Sequence, residues 1–330
     1  MSRTIFGLCL MSLTAYGCGP STAEGPHEMA RPDMTTSQAP AVDLKAADIS
    51  CGGQLFQADR IQPNVFLVLD RSGSMGDPIS DQSSTAKWDD LKGAMTQLIT
   101  TFDSQIRLGM SVYNRDGNCS PGIIDTALAP MQGATVVSQL AQISPSGNTP
   151  TAATLDFVRQ NGGLTDTTRT NVVVLATDGL PNCNDKDVEG KITALYNATP
   201  SVKTFVIGIG SDTASNPNLL NSWAVAGHTD RAGTTKYFQS NSAADLDAAF
   251  QSIVNGVVSC SFALSSNPPD PSQLYVWLAG TQISLDPAQG YTYSDGPATV
   301  TLNGTACDTL KSDPTKKLQI VYGCPTAPIF

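Results

Sequence analysis

VFLVL (65–69) and VVVLA (172–176) are unbroken apolar runs, and each gives way within two residues to an aspartate, Asp70 and Asp178. Such runs are strands buried on both faces, as in a parallel sheet with helices on either side. The intervening segments supply the helices. KWDDLKGAMTQLITTF (87–102) sets Trp88, Leu91, Met95, Leu98 and Phe102 at steps of three and four, one apolar face. IRLGMSVY (106–113) and VKTFVIGIG (202–210) read as further strands, with a weak short strand near Ile123 and an edge strand at KYFQ (236–239). Helices are expected at ATVVSQLAQI (134–143), at TPTAATLDFVRQN (149–161) with Pro150 in its first turn, at VEGKITALYN (188–197) and at NPNLLNSWAVAG (216–227). A last helix starts at Ser242 and turns Leu246, Phe250, Ile253 and Val257 inward. Repeated strand–helix units make this an α/β chain: a doubly wound, mostly parallel, Rossmann-like sheet with helices on both faces.

Beyond Cys260 the texture changes. LYVWLAGTQISL (274–285), ATVTLNG (298–304) and LQIVYG (318–323) are short β-like runs between Pro, Gly and Asp turns. A small β-rich module is therefore expected over 261–330, near the size at which a core needs staples. Its Trp277, Tyr291 and Tyr293 serve either as core or as a sugar-stacking face. At the other end, residues 1–18 carry Arg3, a short apolar stretch and an AYGC ending, which reads as a secretory signal. The ending resembles a bacterial lipoprotein cleavage box, with Cys18 as the lipidated first residue; plain secretion is the alternative. Residues 19–50 are rich in Pro, Ala, Ser and Thr without apolar periodicity, the composition of a disordered tether. A coil of this length averages roughly 30 Å end to end. The large α/β domain then occupies 51–260.

The net charge is −10, with no basic stripe to neutralise phosphates, so nucleic acid is excluded as a partner. Contact with a membrane rests on the lipid anchor alone. Only two histidines occur, His27 and His228, which leaves little material for imidazole catalysis or zinc.

Open parallel sheets bind their ligands beyond the carboxyl ends of the strands. There the sequence places Asp70, Ser72 and Ser74 in DRSGSM, Thr149 in GNTPT and Asp178 in TDG. Alternate side chains leaving a strand point the same way, and Gly73 lets the chain turn back. All five residues offer oxygen, which suits a hard cation: Mg²⁺, with Mn²⁺ or Ca²⁺ as alternatives. Any one of them alone reads equally as a turn residue or a helix cap. The three segments in this order, within an α/β pattern, resemble a von Willebrand factor type A (vWA) domain with an intact metal-ion-dependent adhesion site (MIDAS), over about residues 63–258. The resemblance implies that Ser72 and Ser74 coordinate Mg²⁺ through their hydroxyls. Thr149 would bind directly or through water, and Asp70 and Asp178 mainly through water. An open position would accept a carboxylate from a partner protein. The family's usual GGT stands here as Gly147, Asn148 and Thr149, a departure that bears on the path of the Thr149 loop.

The function expected is a metal-dependent protein-binding or adhesion module of the cell envelope, at the outer membrane in a Gram-negative source, or else secreted. It is not expected to be an enzyme. One alternative is a structural envelope protein whose metal only stabilises the fold. Another is a Mg²⁺-dependent hydrolase, which needs a general base near the metal. No histidine lies near the motif, no GxSxG elbow occurs, and Asp77 and Asp185 read as loop residues. GLPNCNDKDVE (179–189) is either part of a partner surface or a solvated loop ending in a helix cap.

Of eight cysteines, Cys9 leaves with the signal and Cys18 takes the lipid. The remaining six read as disulfides in an exported chain. If the first strand rises to the metal, Cys119 and Cys183 both follow strands that end on the metal face. Cys51 precedes the first strand and Cys260 follows a descending helix, so both lie at the opposite edge. The expected pairs are Cys119–Cys183, Cys51–Cys260 and Cys307–Cys324.

Overall fold

The computed structural model describes residues 53–325 apart from 215, 314 and 324. The signal segment with Cys18, the tether, Cys51 and Cys324 lie outside the described residues.

Two short strands, β1 (Gln54–Phe56) and β2 (Ala58–Arg60), precede β3 (Asn64–Asp70). Then follow α1 (Lys87–Phe102), β4 (Arg107–Tyr113), β5 (Thr126–Pro130), α2 (Gly133–Leu140), α3 (Thr151–Asn161) and β6 (Asn171–Thr177). The alternation continues through α4 (Val188–Tyr196), β7 (Val202–Ile209), α5 (Ser211–Ala214), α6 (Pro217–Ala226), β8 (Phe238–Ser240) and α7 (Ala243–Val257). β3 to β8 form one six-stranded sheet in the order β5-β4-β3-β6-β7-β8, parallel throughout except for β5. This is a doubly wound α/β fold. The weak strand expected near Ile123 falls slightly later, at β5, which closes one edge antiparallel to β4.

Every residue of β3 and β6 is buried, and the two-residue period of a strand divides them between two cores. Val65, Leu67 and Leu69, with Val172, Val174 and Ala176, pack against α1, α2 and α7. Phe66, Val68, Val173 and Leu175 pack against α3, α4 and α6. Truncating a side chain so enclosed, as in Leu67→Ala, costs about 2–5 kcal/mol. All five apolar residues expected on the inner face of α1 enter the first core. The Ser242 hydroxyl accepts the Asp245 N–H at 3.1 Å and so caps α7.

The last segment holds β9 (Ser261–Leu264), β10 (Leu274–Leu278), β11 (Thr281–Ile283), β12 (Tyr291–Asp295), β13 (Ala298–Leu302), α8 (Gly304–Ser312) and β14 (Leu318–Tyr322). Two antiparallel sheets result, β1-β14-β10-β11 and β12-β13-β9-β2. β1 and β2, which fall inside the expected 51–260 span, thus pair with strands of the β module. The large domain is inserted between β2 and β9, and the Ile61 N–H donates to the Ser261 carbonyl at 2.9 Å where it begins and ends. Phe56, Val276, Val300 and Ile320, with Ala306 and Leu310 of α8, share the module's core. Tyr291 belongs to the same core and donates its hydroxyl to the Leu274 carbonyl at 2.6 Å; Trp277 is 9% exposed. These two aromatics build the module rather than a sugar platform.

Cys260 is bonded to Cys307, with Cα atoms 5.6 Å apart. This corrects the expected pairs Cys51–Cys260 and Cys307–Cys324. The reason is the register of β9 and β13: Ser261 lies opposite Thr301, and the turn into α8 returns Cys307 to Cys260. The module meets the large domain at the amino ends of its strands. Arg60 donates to Gln105 Oε1 at 2.6 Å, Arg169 to the Gln62 carbonyl at 2.8 Å, and Lys311 Nζ to the Asn255 carbonyl at 2.8 Å. Asp70 and Asp178 lie at the opposite edge. Among the described residues no helix is long and apolar enough to cross a membrane.

Candidate metal centre

Asp70 ends β3 and Asp178 directly follows β6, so two neighbouring parallel strands deliver both carboxylates to one edge. Asp70 is fully buried; its Oδ1 accepts the Ser72 N–H at 2.8 Å and its Oδ2 accepts the Thr177 hydroxyl at 2.6 Å. The first bond is an Asx turn that folds the chain back over the carboxylate. A single 3₁₀ turn at Gly73–Gly76 then holds Ser74 beside Ser72. The two hydroxyl oxygens lie 3.2 Å apart, and Ser74 donates to Asp178 Oδ1 at 3.0 Å. Neighbouring ligands of an octahedral ion with 2.0–2.1 Å bonds stand about 2.9 Å apart. Spacing and donor type together fit a small hard cation. Among the described residues no group of three His, Cys, Asp or Glu side chains offers a competing site.

The Thr149 loop is fastened against this turn through its backbone. The Ser146 N–H donates to the Arg71 carbonyl at 2.7 Å, and the Gly73 N–H donates to the Gly147 carbonyl at 3.1 Å. Gly147 has φ +79°, and a Cβ there would run into the Gly117 backbone, so only glycine fits. The Asn114 amide donates to the carbonyls of Ser146 and Asn148, which holds the segment that departs from the family pattern. Thr149 itself is buried, with its N–H donated to Asn182 Oδ1 at 2.8 Å.

Residues 64–251 match the von Willebrand factor type A domain. The chain belongs to that family. This vWA protein is 26% identical over 213 residues to YwmD, an uncharacterized protein of Bacillus subtilis (strain 168), a match covering 62% of this chain and 90% of the other. Among solved structures it is similar to the pilus adhesin SpaC from Lactobacillus rhamnosus GG, at 12% identity and a TM-score of 0.48, over 80% of this chain and 40% of that one. It is also similar to proximal thread matrix protein 1 of the mussel byssus, solved with a zinc-occupied MIDAS motif, at 15% identity and a TM-score of 0.46. That match covers 62% of this chain and 50% of the other, so the vWA protein spans half or less of both solved chains.

Several residues around the vWA site went unread in the sequence. Arg71, inside the DRSGSM motif, donates to the carbonyls of Asn114 at 2.8 Å and Ser144 at 3.1 Å, pinning two loops to the strand end. Lys87, the first residue of α1, places its Nζ 3.0 Å from Asp178 Oδ2, with the two side chains 3% and 0% exposed. Cys119 and Cys183, read in the sequence as a pair, are bonded, which ties the loop after β4 to the loop after β6 at the rim of the site. That second loop has a double role. Asp187 caps α4 by accepting the Gly190 N–H at 2.9 Å, while Asn182 holds Thr149. Burial, and then the charge of Asp178, push the Asp70 carboxyl up to about 6, against the hydrogen bonds from Thr177 and Ser72.

Proposed function

We propose that this chain is a metal-dependent protein-binding module of the bacterial cell envelope, which grips a carboxylate of a partner protein through Mg²⁺ held at the MIDAS. The observation that carries this reading is the convergence of Asp70, Ser72, Ser74 and Asp178 within hydrogen-bond distance at the carboxyl edge of the sheet. A Mg²⁺ bound there supplies a positive centre with a coordination position open to a carboxylate. Ser72 and Ser74 are neutral, so they orient the ion while leaving most of its charge unquenched. Leu180, 46% exposed and two residues past Asp178, offers apolar contact beside the charge. The β module contacts the opposite edge and does not compete for this face. Binding rather than turnover fits the carboxylates, whose oxygens are already engaged by Ser72, Thr177, Ser74 and Lys87. The Cys119–Cys183 and Cys260–Cys307 bonds fit an oxidising compartment. In this reading Cys18 is lipidated and residues 19–50 tether the head to the membrane.

The test is calorimetric titration of Mg²⁺ into the oxidised exported chain, followed by a peptide with blocked ends and a single glutamate. One-to-one ion binding that is lost in Ser72→Ala, with peptide binding only in the presence of the ion, is the expected result. Ion binding untouched by Ser72→Ala, or peptide binding that persists in chelator, would refute it.

A further inference from the structure

The ammonium of Lys87 lies where the charge of a divalent ion is also needed. It reaches Asp178 Oδ2 at 3.0 Å and the Ser74 carbonyl at 3.4 Å, both groups of the metal centre. Nothing about α1 calls for a lysine here. A cation at the first helical position opposes the helix dipole, and a buried ammonium carries a heavy desolvation cost. The fold nonetheless makes room for it. Gly210, with φ +81°, sits against the lysine stem, and a Cβ there would come within 2.9 Å of Lys87 Cε. The Gly210 N–H is in turn held by the Ser240 carbonyl at 2.8 Å, so β7 and β8 help shape the lysine's channel.

We propose that Lys87 is a built-in competitor for the metal: it neutralises Asp178 from the protein side and holds the affinity of the site for divalent ions down. The inference rests on the reading of the site as a metal centre. A divalent ion bound beside Asp178 meets the Lys87 ammonium at close range, and the repulsion between the two cations costs the site affinity for the ion. Lys87 acts through Asp178 and the local field, so it is a positioning and charge-setting residue rather than a ligand.

The experiment is Mn²⁺ titration of the oxidised exported chain as wild type, Lys87→Met, Lys87→Gln and Lys87→Arg, with circular dichroism confirming the fold of each. Lys87→Met or Lys87→Gln should bind Mn²⁺ at least about tenfold more tightly, since a unit charge is removed close to the ion. In chelator the same variants should be less stable than wild type. Lys87→Arg, which keeps the charge, should stay near the wild-type affinity. A lysine with a merely structural role predicts weaker binding on its removal, so unchanged or weaker Mn²⁺ binding in both folded neutral variants overturns the proposal. If wild type binds no Mn²⁺, the proposed function fails on its own. Binding gained in Lys87→Met would then still support the competitor, and continued silence would overturn it too.

Discussion

Replacing Cys119 and Cys183 together by serine separates a global effect from a local one. The bond joins residues 64 apart in sequence. Closing a loop of that length removes about 14 cal/mol/K of entropy from the unfolded chain, or about 4 kcal/mol at 25 °C. The local effect runs through Asn182, the neighbour of Cys183, whose side chain accepts the Thr149 N–H at 2.8 Å. Without the bridge the 179–187 segment loses its tie to the loop after β4, and Thr149 is held less firmly. Loss of such a support typically lowers metal affinity about tenfold. Urea unfolding in chelator, followed by the fluorescence of the buried Trp88 and Trp223, measures the first effect. The midpoint should fall, and the slope against urea should steepen because the unfolded chain expands. Mn²⁺ titration of the folded variant measures the second effect. A stability loss below about 1 kcal/mol would refute the loop-entropy account. Unchanged Mn²⁺ affinity would break the link from Cys183 to Thr149.

Three further outcomes are expected. Asp70 binds its proton more tightly folded, at about 6, than unfolded, at 3.8; the cost of ionising it is full above pH 6, gone below about pH 4, and worth up to about 3 kcal/mol. In chelator, urea midpoints of wild type relative to Asp70→Asn should therefore rise between pH 7 and 5, while stabilisation by Mg²⁺ falls; midpoints that move in parallel would contradict this. Arg71→Met removes the donors to Asn114 and Ser144 and should lower stability by about 1–2 kcal/mol and Mn²⁺ affinity about tenfold, with equal affinity counting against Arg71 as the pin. Peptide mapping of the oxidised exported chain should find Cys119 joined to Cys183 and Cys260 to Cys307; Cys260 paired elsewhere would contradict the register of β9 and β13.

The parallel sheet was legible because β3 and β6 are buried on both faces, and such strands must be apolar at every position. The acid–serine motif was legible because oxygen donors at strand ends follow a spacing set by the backbone. Lys87 was not, because a lysine beginning KWDDLK looks like the solvated start of an amphipathic helix, and only the tertiary fold turns it under Asp178. Arg71 and Asn182 act through loop carbonyls and a backbone N–H, contacts that carry no residue-type signature. β1 and β2 span three residues each, too few for a two-residue period to stand out. α8 did leave a trace, with Ala306 and Leu310 four apart and both buried, but short β-like runs on either side masked it. Cys307 went to Cys260 rather than Cys324 because strand register decided the pairing, and register is a long-range property that spacing does not encode.

The insertion of the large domain between β2 and β9 sets an order of events during synthesis. β1 cannot find β14 until Tyr322 has been made, so the first strands to appear are among the last to pair. The six-stranded sheet needs nothing beyond α7 and can form while the rest of the chain is still emerging. Until β9 and β14 arrive, β1 and β2 present open strand edges, which invite association with other chains. Closing the β module is then the final act of folding, and a chain cut short before residue 318 would keep the edge that carries Asp70 and Asp178 while leaving β1 without its partner strand.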